Sequence, residues 1–187
     1  MKVFYLGPEG TNSNLAALEI FPGDFSYVPL PSIEDIFQKV ALSHSYYGVI
    51  PFENSYQGVI NSSLNCLIDY DLKIVKELNF AISHSFCSLN KSLDKLNVSK
   101  IASHPQVLGQ CSSWLNKNYP NAEKIVCTST AEAAKLASNN NEIFCIANEY
   151  AIKLFNLHSH EKDIQDSSTN STRFLVIGKM IEESSEK

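Results

Sequence analysis

Arginine is nearly missing from this chain: of 15 cationic side chains only Arg173 is a guanidinium, and the other fourteen are lysines. Basic clusters are missing as well, and the formal net charge is −5, so no nucleic-acid partner is expected. No apolar run approaches the ~20 residues of a membrane-spanning helix, so no membrane partner is expected either. The opening MKVFYLGPEG has one short apolar run that ends at once in a turn, the form of a first strand and not of a secretory signal. The expected location is therefore cytoplasmic. Closely spaced cysteines are absent: the five stand at 66, 87, 111, 127 and 145, which argues against a disulfide framework and for buried free thiols. Among the histidines only His158-x-His160 is close-set, with no acidic or cysteine ligand at a matching offset, so no metal is expected. Neither GxxxxGK[ST] nor GxGxxG occurs, which leaves nucleotide binding unsupported.

What is present is a chain of 187 residues, 44% of them hydrophobic, enough for one domain or two small lobes. Apolar runs alternate with helical patterns. KVFYL (2–6) precedes a helix near 13–20; SIEDIFQKVAL (32–42) predicts a helix opened by Ser32; YYGVIPF (46–52) is the next strand and 61–70 another helix. The segment 72–89 is extended. KIAS (100–103) leads into a helix beginning SHPQ, and KIVCT (124–128) precedes STAEAAKLA, whose Ser129 and Glu132 have capping-box spacing. EIFCIA (142–147) leads into a further helix, and RFLVIG is the last strand. This alternation predicts an α/β fold with a largely parallel sheet, whose loops after strands are where ligands bind. The poorly periodic segments 72–89 and 157–171 are the candidates for crossings between lobes, and the tail EESSEK is expected to fray.

Four polar insertions interrupt the apolar pattern. GPEGTNS (7–13) follows the first strand; Thr11, Asn12 and Ser13 then open a helix, either as a plain cap or as a donor cluster for an anion. PFENSYQGVINSSL (51–64) sends Glu53, Asn54 and Ser55 off the end of a strand. Glu53 is a general acid or base, a partner for a cation, or merely solvated. In ASHPQVLGQC (102–111), Ser103 and Gln106 have capping-box spacing with Pro105 in the first turn, and Gln110 lies two turns beyond Ser103. His104 is available as a base, but no nucleophile is set beside it. In TNSTRFLVIG (169–178), Arg173 enters a buried strand, so it must pair or reach a ligand carboxylate. Thr172 is next to it, facing the other side if the pleat is regular. Hydroxyls, amides and one cation suit a small anionic ligand.

Taken in order, LGPEGTNS, GVIPFENSYQG with SSL, ASHPQVLGQC with a nearby WL, STAEAA and IQDSSTNSTRFLVIG resemble the prephenate dehydratases. The resemblance runs from about residue 3 to 178. It implies a cytoplasmic lyase of phenylalanine biosynthesis that turns prephenate into phenylpyruvate, water and carbon dioxide without cofactor or metal. It also implies a fold like the type II periplasmic-binding proteins, with lobe one about 1–76 plus 170–187, lobe two about 77–168, and a cleft between. By that resemblance Thr172 is catalytic, donating to the departing hydroxyl. Thr11, Ser13, Asn54, Ser55, Ser103 and Gln110 are neutral donors to the dianionic substrate. Arg173 either binds a carboxylate or pairs with Glu53 to fix the loop, the pairing being preferred, and Phe174 packs under Thr172.

Two departures stand out. Asn12 replaces a usual aromatic and Ser63 a common threonine. The ACT domain found in many members, with its GALxxAL-like and ESRP-like motifs, is not present in these 187 residues. The expectation is a stand-alone catalytic unit insensitive to phenylalanine, or else a truncated sequence. The rival readings are an arogenate dehydratase and a non-catalytic cytosolic protein that binds a small anion. Whether the chain forms a homo-oligomer is left open.

Overall fold

The structure, a computed structural model, describes residues 1–93, 98–167 and 169–179. The chain forms two compact units. The first holds Met1–Gly7, Ser13–Phe80 and the chain from Ser171 onward; the second holds Pro8–Asn12 and Ala81–Asn170. The expected fraying of EESSEK falls outside the described residues. Among the described residues, no helix is long and apolar enough to cross a membrane.

The first unit is built on β1 (Lys2–Leu6), α1 (Asn12–Ile20), β2 (Ser26–Leu30), α2 (Ile33–Val40), β3 (Tyr46–Asn54), the short β4 (Gly58–Val59), α3 (Asn61–Asp69) and β5 (Lys73–Ala81). Its sheet is completed by the last strand, β11 (Ser171–Gly178), in the order β2-β1-β3-β11-β5, with β4 on β3. Strands β2, β1 and β3 are parallel, as successive β-α-β connections require. β11 returns from the other unit and runs antiparallel to β3.

The second unit carries β6 (Ser85–Ser88), β7 (Lys100–Ser103), α4 (Pro105–Gln110), α5 (Ser112–Asn118), β8 (Glu123–Val126), α6 (Thr130–Ser138), β9 (Ile143–Ala147), α7 (Glu149–Leu154) and β10 (His158–Glu161). Its sheet order is β10-β6-β9-β7-β8. β8, β7 and β9 are parallel, whereas β6 and β10 pair antiparallel. Where the alternation predicted largely parallel pairing, the two sheets are mixed, each parallel only where helices connect its strands.

Local chemistry accounts for most elements. Ser32 caps α2, accepting from Asp35 N–H at 3.0 Å, and the helix buries Ile33, Ile36, Phe37 and Val40. Ser129 caps α6 in the same way, while Glu132 turns back to the backbone and hydroxyl of Thr128 instead of closing a capping box on Ser129. Besides the two-residue β4, two strands have no sequence signal. β2 contains Pro29 and lies at a sheet edge, where a missing N–H is tolerated. β10 reads HSHE, an edge strand with no apolar run.

β11 is buried on both faces. Phe174 and Val176 join a cluster with Val3, Tyr5 and Ala16, while Leu175 and Ile177 join Phe4, Ile36 and Phe37. This explains the continuous apolar run of RFLVIG. Opposite Ile177 stands Gly48, where an added Cβ would lie 2.5 Å from Ile36 Cγ2 and 2.8 Å from Ile177 Cγ1. Gly48→Ala is therefore expected to destabilise the protein by about 1–3 kcal/mol, lowering the urea midpoint at unchanged slope. An unchanged midpoint would show that α2 is not seated against β3 and β11 as described.

Candidate active site

In the first unit the mouths of β3 and β11 meet in register, Thr172 opposite Asn54 and Arg173 opposite Glu53, with a bulge between Arg173 and Phe174. Asn54 Nδ2 donates to Thr172 Oγ1 at 2.9 Å, and both residues are buried. The orientation of this amide follows from its other end: Asn54 Oδ1 accepts from Tyr56 N–H at 3.0 Å, which only the oxygen can do. Because Nδ2 has only hydrogens to offer, Thr172 Oγ1 must accept, and its own proton is directed to a different acceptor. Ser55 fixes the same mouth. Its N–H donates to Ser171 O at 3.0 Å, and its Oγ accepts from Ser171 N–H at 3.1 Å. Below them the fully buried Ser63 donates to Pro51 O at 2.6 Å, so the hydroxyl that replaces a threonine ties α3 to β3.

Arg173 departs from expectation. Its side chain is 40% exposed and pairs with Glu77, Nε donating to Oε2 at 3.1 Å with Nη2 on the same oxygen. The physical reason is the neighbour: β11 lies beside β5 as well as β3, and β5 carries Glu77. Glu53 is the register partner across β3 and adds a weaker attraction, while the ring of Phe52 lies 5.9 Å from the guanidinium carbon. The preferred pairing with Glu53 is thus replaced by an ion pair with Glu77, and burial does not force it. Phe174 is buried among Val3, Tyr5 and Val49 and meets Phe80 edge-on, a core residue.

In the second unit the turn 8–12 is held by a residue the sequence did not mark. Asn148 Nδ2 donates to Gly10 O at 3.0 Å and Asn12 Oδ1 at 2.9 Å, while its Oδ1 caps α7 through Ala151 N–H at 2.8 Å. Asn12, the departure from the family pattern, is thereby a tether of the turn. Gly10 has φ +90, where a side chain would be strained, and a Cβ there would also crowd Ala131 and Leu154. Thr11 is half-buried; Ser13, in the first unit, is buried on α1.

Ser103 is not a cap. It ends β7, is fully buried, and donates to Ile146 O at 2.8 Å. His104 caps α4 instead, its Nδ1 accepting from Gln106 N–H at 3.3 Å, and burial lowers its pKa. Gln110 is buried near the end of α4, with Oε1 taking a hydrogen bond from Asn170 Nδ2 at 3.1 Å and lying 3.0 Å from His84 Nε2. The helix expected from SHPQ onward breaks at Cys111 into α4 and α5. Asp166 supplies the missing cap of α5, accepting from Ser112 Oγ and the N–H groups of Ser113 and Trp114. Burial alone would raise its carboxyl, but these donors outweigh that and hold it below the usual range.

A cavity of about 460 Å³ in this unit, lined by Pro8, Glu9, Ala131, Glu132, Lys135 and Leu154 among others, contains none of the expected site residues. Its two carboxylates against one ammonium suit a dianion poorly. Among the described residues no cluster of three metal-ligating side chains occurs.

The family model for prephenate dehydratase matches residues 3–182. The chain belongs to the prephenate dehydratase family. It is 40% identical over 179 residues to a bifunctional chorismate mutase/prephenate dehydratase of Aquifex aeolicus, covering 96% of this chain and 49% of that protein. The chain thus spans about half the length of the curated relatives it matches first. A crystal structure of a prephenate dehydratase in complex with L-Phe from Arthrobacter aurescens superposes with a TM-score of 0.88 at 21% identity, covering 97% of this chain and 61% of that one. A periplasmic substrate-binding protein of an ABC transporter from Coxiella burnetii superposes with a TM-score of 0.51 at 11% identity, covering 96% and 84%. These likenesses bear out the expected α/β fold of the periplasmic-binding-protein kind.

The exposed Arg173–Glu77 pair is expected to add little to stability, as surface ion pairs usually do. Arg173→Met should leave the melting temperature essentially unchanged. A large drop would mean that the guanidinium holds β11 to β5.

Proposed function

We propose that this chain dehydrates and decarboxylates prephenate to phenylpyruvate, as a cytoplasmic enzyme of phenylalanine biosynthesis. One observation carries the reading: within a family of this activity, the buried Thr172 hydroxyl accepts from Asn54 and keeps its own proton for another acceptor.

The reaction breaks two bonds of one ring. Electrons of the C–C bond to the ring carboxylate move into the ring as carbon dioxide leaves, and the ring C–O bond breaks at the far side. One proton is taken up, so the departing oxygen leaves as water, and aromaticity supplies the driving force. Thr172 is the proposed donor to that oxygen. A threonine hydroxyl is too weak an acid to ionise outright. It acts by a hydrogen bond that strengthens as negative charge gathers on the leaving oxygen, or by passing a proton along. The bond from Asn54 assists, because donation to a hydroxyl oxygen makes its hydrogen a better donor. A contribution of this kind is roughly 10²–10⁴-fold.

The remaining candidates serve as neutral donors to the carboxylates and keto group: Thr11, Ser13, Ser55 and Gln110, while Asn54, expected among them, is given to Thr172 Oγ1. Neutral donors hold a dianion without the tight ground-state pairing that would resist loss of a carboxylate as neutral carbon dioxide. Ser103 takes a supporting part, since its hydroxyl donates to the backbone of β9. Arg173 is assigned no substrate contact: its guanidinium pairs with Glu77 of β5, with Glu53 beside it.

Thr172→Ala is expected to lower kcat on prephenate by roughly 10²-fold or more with KM little changed. Retention of most activity would refute the role of Thr172. Purified protein offered prephenate and arogenate separately should form phenylpyruvate from the first. Turnover of arogenate alone would replace the substrate assignment, and binding of either without turnover would make the chain a binding protein.

A further inference from the structure

Gln110 sits in the second unit at the centre of a small buried network whose geometry restricts what its amide can present. A glutamine amide can turn over and offer either an oxygen or an NH2 group to a ligand. Here Asn170 Nδ2 donates to Gln110 Oε1 at 3.1 Å, so that oxygen already faces inward. His84 Nε2 lies 3.0 Å from the same oxygen. Since Oε1 can only accept, the imidazole must carry its proton on Nε2.

The other ring nitrogen supports the same assignment. His84 is 1% exposed, and its Nδ1 is buried with no hydrogen-bond partner among the described residues. A proton on Nδ1 would be a buried N–H without an acceptor, which is costly. Burial accordingly lowers the pKa of this histidine, with the bond to Gln110 opposing in part. The ring is also held from its own backbone. His84 N–H donates to Gln165 Oε1 at 3.0 Å and His84 O accepts from Ile164 N–H at 3.0 Å. The far ends of the network are fixed too, Asn170 O accepting from Ile82 N–H at 2.9 Å and Gln110 O from Asp166 N–H at 2.7 Å.

We propose that His84 is a positioning residue: its Nε2–H, with Asn170, clamps Gln110 Oε1 inward so that Gln110 offers only N–H donors to an anionic ligand. This rests on the proposed function for the identity of the anion, prephenate, but not for the clamp. Without the histidine donor, Gln110 retains one inward bond, and its amide can turn to set an oxygen lone pair against a carboxylate.

The test combines kinetics with spectroscopy on the whole chain. His84→Phe is expected to raise KM for prephenate about tenfold, the scale of one hydrogen bond to a charged group, with kcat little changed. His84→Gln, which places an N–H donor near the Nε2 position, should restore KM to near the wild-type value. In a Gln110→Ala background His84→Phe should have almost no further effect on KM. Nitrogen-15 spectra of the wild type should show His84 as the Nε2–H tautomer, and His84→Phe should shift the Gln110 side-chain NH2 resonances.

An Nδ1–H or doubly protonated ring would overturn the proposal. So would an equal KM penalty for His84→Phe with and without Gln110, which would mark the histidine as packing only. If wild-type protein fails to turn over prephenate, the functional reading falls, while the tautomer and the Gln110 resonances still decide the clamp. If His84→Phe does not fold, the wild-type tautomer and the His84→Gln kinetics decide it.

Discussion

The candidate chemistry depends on one strand pairing, that of β11 with β3. β11 returns to the first unit after some ninety residues in the second and must find its place between two strands already laid down. Hydrophobic alternation does not select the register, because both faces of β11 are buried and apolar. A slip by one residue would exchange apolar side chains for apolar side chains. Size and polarity select it instead. Ile177 needs the space that Gly48 leaves, the bulge between Arg173 and Phe174 re-aims the strand, and Thr172 must meet Asn54 or lose a buried hydrogen bond. The contacts that hold the register are therefore the same ones that orient the proposed donor.

The electrostatic design is one of neutral groups. The chain's single guanidinium, conspicuous in composition, is half-exposed and turned to Glu77. The buried polar groups near the two strand mouths are amides and hydroxyls, and burial lowers the pKa of the one buried histidine of the network. Amides are ambiguous, being donors at one end and acceptors at the other. Two of them lose that ambiguity through their neighbours: Asn54 by the N–H of Tyr56, and Gln110 by Asn170 and His84.

Much of this was legible in the sequence. Capping residues marked α2 and α6, and apolar runs marked β3, β7, β9 and β11. The family strings marked Thr172, Asn54 and Gln110. What was not legible depends on separation along the chain. Glu77 lies 96 residues from Arg173, so nothing local could prefer it over Glu53. Ser103 had the spacing of a cap, but the backbone of β9 claimed its hydroxyl and left the cap to His104. His84 was one histidine among five until the fold set it 3.0 Å from a glutamine 26 residues away. Two of the edge strands, β2 and β10, were missed for a related reason: among the described residues each has one partner strand, and neither carries an unbroken apolar run.

The central claim is that Asn54 acts on the reaction through the hydroxyl of Thr172. The most direct measurement is a double-mutant cycle on kcat with Asn54→Ala and Thr172→Ala. The account requires strong coupling: once Thr172 is alanine, removing Asn54 should cost no more than about twofold further. Two losses that multiply in full would contradict it, and would give Asn54 a contact with substrate independent of Thr172.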